Sequence, residues 1–213
     1  MNHPSVFPIN QDSLNIAANI LLEGGVVCMP TDTFYGLAGI ATNETAVEKI
    51  FNIKQRPANT PLPIFIEKPE DLINLSTQTI SEDIRKITDT FWPGALTIIV
   101  KKSNKIPTIT VAGLESAGFR VPNHVVPIQL CKITKSPITG TSANISGKQP
   151  ARSIEEAIDQ FKKFLPDLFL DGGELHSDLA STIVDFTTIP HNILREGAVS
   201  PDEITAILNE GKS

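Results

Sequence analysis

Apolar residues at Leu14, Ala17, Ala18, Leu21 and Leu22 recur at the spacing of one helix face, and Gly24-Gly25 stop that helix before an unbroken apolar run at 26–29. The run reads as a strand. A second helix fits 44–54, with Ala46, Val47, Ile50 and Phe51 on one face and Asn43 as its N-cap. Lys54 and Arg56 therefore fall at its C-terminal end. Runs 62–66 and 96–100 read as strands, the latter entered through a Pro93-Gly94 turn, with a helix carrying Ile84, Ile87 and Phe91 between them. Short strands at 118–121 and 137–139 flank a helix around 127–133. Ser153 and Glu156 form a capping-box pattern for a helix whose apolar face is Ile154, Ala157, Ile158 and Phe161, and Ser200-Pro201-Asp202-Glu203 repeats that signal at the last helix. Strands at 168–170 and 182–186 lie between those two helices. The alternation predicts an α/β fold and leaves strand order open.

With 213 residues, 40% of them hydrophobic, the chain can bury one sizeable core, and no linker or charge block divides it, so 1–213 reads as a single domain. A formal charge of −6 gives no global footprint for nucleic acid, although a local basic groove stays open. Lys101, Lys102 and Lys105, the densest basic cluster, read as a solvated strand end. Cys28 and Cys131 lack the spacing of a metal or redox motif and read as buried thiols. His3, His124, His176 and His191 are too scattered for a zinc site. No stretch approaches 18 consecutive apolar residues and the first basic residue is Lys49, so neither a membrane span nor a signal or transit peptide is expected. The expected location is cytoplasmic.

Four polar segments end apolar runs, where loops on a rigid scaffold carry function. They are Pro30-Thr31-Asp32-Thr33-Phe34-Tyr35-Gly36-Leu37, Lys54-Gln55-Arg56-Pro57, Ser142-Ala143-Asn144 and Leu194-Arg195-Glu196-Gly197. Gly211-Lys212-Ser213 mimics the end of a Walker loop, but Ala206 stands where its first glycine belongs, and no Gly-x-Gly-x-x-Gly fingerprint occurs. Lys54 and Arg56 are either phosphate-binding cations or ordinary basic residues at a helix end. Arg120 either clamps a carboxylate or makes an ion pair. Arg195 has Glu196 beside it as a competing partner. Thr31, Asp32, Thr33 and Tyr35 suit a small zwitterion, or only a turn at Pro30 and Gly36. Ser142 lacks the Gly-x-Ser-x-Gly setting of a hydrolase nucleophile.

In order, these segments resemble the YrdC-type threonylcarbamoyl-AMP synthases over about residues 24–195. The first motif stands intact at Pro30-Leu37, the Lys-x-Arg motif at Lys54-Pro57, and Trp-Pro-Gly-Ala-Leu-Thr at Trp92-Thr97. Arg120-Val121-Pro122, the segment from Ser142 to Gly147, Asp171-Gly172-Gly173, Ser181-Thr182-Ile183 and Leu194-Arg195 complete the series. The resemblance implies one YrdC-like domain, a twisted mixed sheet flanked by helices around a concave active site. It implies threonine binding by Thr33, Arg120 and Ser181 with backbone from Gly140, and ATP binding by Arg56, Thr60, Ser116, Ser142, Pro150 and Arg195. Lys54 and Asn144, with Arg56 and Ser142, would act on charge at the phosphates. The implied reaction joins L-threonine, bicarbonate or CO2, and ATP into threonylcarbamoyl-adenylate and pyrophosphate for tRNA modification. ATP is a substrate accompanied by Mg2+, with no tightly bound cofactor and no dedicated protein metal site. The product would pass to a tRNA threonylcarbamoyl-transferase complex, with weak or no direct tRNA binding.

Where many relatives carry Asn-Pro-Leu-x-x-His, this chain has Thr60-Pro61-Leu62-Pro63-Ile64-Phe65, so a histidine expected near threonine is an apolar ring, and Thr60 replaces an asparagine expected near ATP. Thr141 replaces a proline. Two other readings compete: an RNA-binding module using the same concave surface, and the related domain of hydrogenase-maturation carbamoyltransferases, whose zinc-finger and acylphosphatase-like segments are not found in these residues.

Overall fold

A computed structural model describes residues 5–209; His3 and the Gly211-Lys212-Ser213 segment lie outside them. In chain order the elements are β1 (Val6–Pro8), α1 (Gln11–Leu22), β2 (Val27–Met29), β3 (Gly36–Ala38), α2 (Glu44–Lys54), β4 (Ile64–Phe65), α3 (Leu72–Leu75), α4 (Glu82–Phe91), β5 (Leu96–Lys101), β6 (Ser116–Arg120), α5 (Val125–Thr134), β7 (Ile138–Thr139), β8 (Thr141–Ser142), α6 (Ile154–Gln160), β9 (Leu168–Asp171), β10 (Thr182–Asp185), β11 (Asn192–Arg195) and α7 (Pro201–Asn209). The predicted helices and long strands are present. The strands form two mixed sheets, ordered β1-β9-β2-β3-β8 and β11-β10-β5-β6-β4-β7, flanked by helices as the mixed α/β expectation has it.

The unbroken apolar run of β2 is explained by cover on both faces. Val27 and Met29 pack with Leu14 and Leu21 of α1 and Leu130 of α5, while Val26 and Cys28 face Ile50 of α2 and Phe161 beyond α6. The second sheet builds its own core, in which Ile98 and Phe119 meet Ile84 and Ile87 of α4 and Ile204 of α7. Helix ends follow the local chemistry. Gly24 takes φ +80° after α1, a left-handed conformation that favours glycine. Asn43 caps α2 by accepting from Ala46 N at 3.2 Å. The Ser200–Glu203 box closes, with Glu203 Oε2 accepting from Ser200 N at 2.9 Å. At α6 only half of the expected box forms: Ser153 Oγ accepts from Glu156 N, but Glu156 Oε2 turns back one residue further, to Arg152 N at 2.8 Å.

The strands that sequence pattern missed are short or lie at edges. β3, β8 and β11 hold three, two and four residues, too few for a period-two signal to stand out. They nevertheless matter, because β3 and β8 frame the crossing between the sheets and β11 carries Arg195. Cys28 and Cys131 are buried free thiols, and no helix among the described residues is long and apolar enough to cross a membrane.

Candidate active site

The chain passes from one sheet to the other within five residues. Ile138 and Thr139 pair with β4, Thr141 and Ser142 pair with β3, and Gly140 stands at the step. A Cβ on Gly140 would lie 2.3 Å from two atoms of the Phe65 ring, so the close approach of ring and backbone requires glycine. A cavity of about 190 Å3 opens at this crossing. That is below the usual range for a drug-sized ligand, and suits a small metabolite with anything larger extending past the rim.

Three arginines from separate elements line it. Arg120, at the end of β6 and only 3% exposed, donates from Nε to Gly94 O at 2.8 Å and from Nη2 to Asp32 Oδ1 at 2.6 Å. The Pro93-Gly94 turn thus aims the guanidinium, which also lies 5.6 Å from the centre of the Phe65 ring. Arg195, ending β11, donates to Ser181 O from Nε and Nη2 at 3.0 and 2.7 Å. Arg56 follows Gln55, whose φ of 49° swings the chain off α2, and it donates to Thr60 O and Pro61 O at 3.1 and 2.9 Å. In all three the described bonds use Nε and Nη2, and none uses Nη1. Burial lowers the pKa of each, opposed at Arg120 by Asp32 and reinforced at Arg195 by the charge of Arg120. Arginine stays protonated regardless. Three cations line the cavity and only Arg120 has a described carboxylate partner, which leaves a positive potential suited to carboxylate and phosphate oxygens.

Hydroxyl groups supply the opposite polarity. Thr31 Oγ1 gives its proton to Phe34 O at 2.7 Å, so its 3.1 Å contact with Thr33 Oγ1 is donated by Thr33. The lone pairs of Thr33 then remain for a donor such as an amine. Thr97 Oγ1 and Ser181 Oγ lie 3.0 Å apart, and Ser181 Oγ also accepts from Arg195 Nη2 at 3.0 Å. Either direction between the two hydroxyls leaves one proton to offer a ligand. Tyr35 ties the wall to the loop after β9, donating to Gly173 O and accepting from Gly172 N.

The cavity therefore gathers Thr33, Arg56, Arg120, Gly140, Ser142, Pro150, Ser181 and Arg195. It does not gather the other expected residues. Lys54 is 1% exposed and turns inward, donating to Ser142 O, to Asn144 O at 2.9 Å and to Asn144 Oδ1 at 3.1 Å. Asn144 is likewise spent inside, its Nδ2 donating to Ile145 O and Lys148 O. Thr60 contributes a carbonyl to Arg56 while its hydroxyl points to Asn59. Ser116 opens β6, four residues before Arg120 and so about 13 Å along the strand. The sequence reading in turn left Thr97 unassigned. Its signal was membership of the Trp92-Thr97 segment, but only the pairing of β5 with β10 brings it to Ser181.

Residues 19–197 match the profile of the family described as Telomere recombination, the Sua5, YciO and YrdC proteins. The chain belongs to this family. It is 36% identical over 202 residues to the threonylcarbamoyl-AMP synthase of Pyrococcus abyssi and 32% identical over 200 residues to that of Bacillus subtilis, covering 95% and 93% of this chain. It spans 59% and 57% of those two relatives. Among solved structures, P. abyssi Sua5 complexed with L-threonine aligns with a TM-score of 0.90 at 34% identity, over 98% of this chain and 62% of that one. E. coli YciO aligns with a TM-score of 0.83 at 26% identity, over 95% of this chain and all of that one. Full-length HypF, at 20% identity and a TM-score of 0.76, covers 86% of this chain and 29% of that one and shares the fold. Within the Sua5, YciO and YrdC family, the two-sheet crossing with its three arginines is this chain's candidate site. A larger groove of about 560 Å3 behind β4 contains none of the motif residues named above.

Proposed function

We propose that this chain is an enzyme that forms threonylcarbamoyl-adenylate and pyrophosphate from L-threonine, bicarbonate or CO2, and ATP. The observation that carries the proposal is the convergence of Arg56, Arg120 and Arg195 on one small cavity that also presents Thr33, Ser142 and Ser181. Arg120, oriented by Gly94 and Asp32, holds the threonine carboxylate, and Thr33 Oγ1 accepts from the amine. The neutral amine adds to the carbon of CO2 and gives up one N–H proton to solvent, leaving a carbamate anion. A carbamate oxygen then bonds to the α-phosphorus as the bond to the bridging oxygen breaks and pyrophosphate leaves. Arg56 and Arg195 stabilise the phosphate oxygens, and catalysis is positioning and charge stabilisation without a covalent enzyme intermediate.

The described residues hold no cluster of three His, Cys, Asp or Glu side chains fit to bind a metal, and Asp32 is occupied by Arg120 and Asn123 N. Mg2+ would accompany the triphosphate as part of the nucleotide substrate, held mainly by phosphate oxygens and water. The adenylate would be consumed by a tRNA threonylcarbamoyl-transferase complex in the cytoplasm, and the −6 charge supports weak or no direct RNA binding. The test is pyrophosphate release by the purified protein with ATP, threonine and bicarbonate. Release should require both threonine and bicarbonate; release that continues undiminished without either would reject the reaction, and salt-dependent RNA retention in its place would favour an RNA-binding module.

A further inference from the structure

Lys54 is a residue the proposed chemistry does not use, and its surroundings show what it does. Three acceptors surround Nζ, namely Ser142 O, Asn144 O and Asn144 Oδ1, and an ammonium has three protons to give. None is left for a phosphate. The main chain adds a return contact, since Ser146 N donates to Lys54 O at 2.9 Å. The last turn of α2 and the loop after β8 are thereby clasped from both sides.

The clasp fixes more than the path of the loop. Asn144 Oδ1 must be its amide oxygen, because it faces a donor-only ammonium while Nδ2 faces the carbonyls of Ile145 and Lys148 at 3.0 and 2.7 Å. Ser142 Oγ lies 2.6 Å from that oxygen and so must give it the hydroxyl proton. Ser142 lines the cavity with its proton already committed, so that only its lone pairs remain to bond. It meets a ligand as an acceptor.

We propose that Lys54 is a positioning residue that, through Asn144, holds the 142–148 loop and sets the Ser142 hydroxyl as a hydrogen-bond acceptor for a donor group of the nucleotide, an amino or hydroxyl group and not a phosphate oxygen. The inference rests on the nucleotide reading of this cavity. It also explains why two cations two residues apart do different work, Arg56 lining the site and Lys54 building its wall.

The test combines backbone amide exchange across 142–149 with steady-state pyrophosphate release by Lys54→Met, Lys54→Arg and Ser142→Ala. Lys54→Met should exchange at least tenfold faster in the loop and raise the KM for ATP about tenfold or more, with a smaller change in kcat. Lys54→Arg should not rescue, because a planar fork cannot converge on three oxygens around one nitrogen. Ser142→Ala should raise the ATP KM while leaving pyrophosphate inhibition unchanged, since the serine touches no phosphate. Unchanged loop exchange in Lys54→Met, rescue by arginine, or weakened pyrophosphate inhibition in Ser142→Ala would each overturn the proposal. If Lys54→Met does not fold, Asn144→Ala, which leaves the ammonium its two carbonyls, decides by the same two readouts. A wild-type protein that releases no pyrophosphate would reject the proposed reaction, while loop exchange would still decide whether Lys54 is the clasp.

Discussion

Lys54 and Arg56 belong to one four-residue motif, yet their side chains end in opposite surroundings. The ammonium of Lys54 is enclosed and spends every proton on the protein, whereas Arg56 spends two of its donor nitrogens on carbonyls and keeps Nη1 outside the described bonds. Arg120 and Arg195 share the second pattern. A cation whose protons are all used inside supports structure; one held by half its fork is oriented and still able to bind an anion. The motif therefore encodes one wall-building cation and one ligand-facing cation, separated by the left-handed turn at Gln55.

Substitution should separate these roles most clearly at Lys54. Lys54→Met leaves Asn144 O without its described donor, while Ser142 O keeps Asn144 N and Asn144 Oδ1 keeps the Ser142 hydroxyl, and should lower the unfolding free energy by about 2 kcal/mol, read by chemical denaturation. Arg56→Ala, which removes two bonds to half-exposed carbonyls that water can replace, should cost about 1 kcal/mol or less in the same measurement and chiefly reduce kcat/KM for ATP, since a charge-assisted contact is worth about 1.5–3 kcal/mol. Lysine at 56 should restore only part of that loss. Equal stability losses in Lys54→Met and Arg56→Ala would erase the distinction.

Gly140→Ala probes the floor between the two regions. The new methyl meets the Phe65 ring, which is itself packed against Arg120, so overpacking should cost about 1–3 kcal/mol and raise the KM for threonine. A variant with wild-type stability and threonine use would show that ring and backbone part easily.

Acidity gives a subtler contrast. Burial, helped by the charge of Arg56, draws Lys54 from its ordinary 10.5 down to about 7. Between those values the unfolded chain binds more protons than the folded one, so stability should rise with pH above 7, by at most about 1.4 kcal/mol per unit. The window ends near about pH 8.5, because Cys28 and Cys131 are held protonated by burial and their ionisation in the unfolded chain works the other way. Denaturation midpoints of wild type should climb across this window and those of Lys54→Met should stay flat; parallel slopes would refute the assignment.

The smallest effect is expected at Phe65. Returning histidine to that position supplies one polar contact worth about 0.5–1.5 kcal/mol, so Phe65→His should shift the threonine-over-serine preference by up to about tenfold. An unchanged preference would place the amino-acid side chain away from the ring.

Much of this molecule was legible in its residues because the signals were local. The limits 44–54 of α2 followed from one apolar face and an asparagine cap, the stop after α1 from paired glycines, and the α/β class from alternating periods. The motif order named the family, and eight of the expected site residues line one cavity. Neither period nor motif could divide the strands between two sheets, since strands of two to four residues carry no periodic signal and their pairing is long-range. Nor could it tell which cation of Lys54-Gln55-Arg56 faces the ligand, because both have the same charge and stand at the same helix end. That was decided by the step at Gly140, which brings the carbonyls of Ser142 and Asn144 over the last turn of α2 and leaves the Lys54 ammonium no better partners than these.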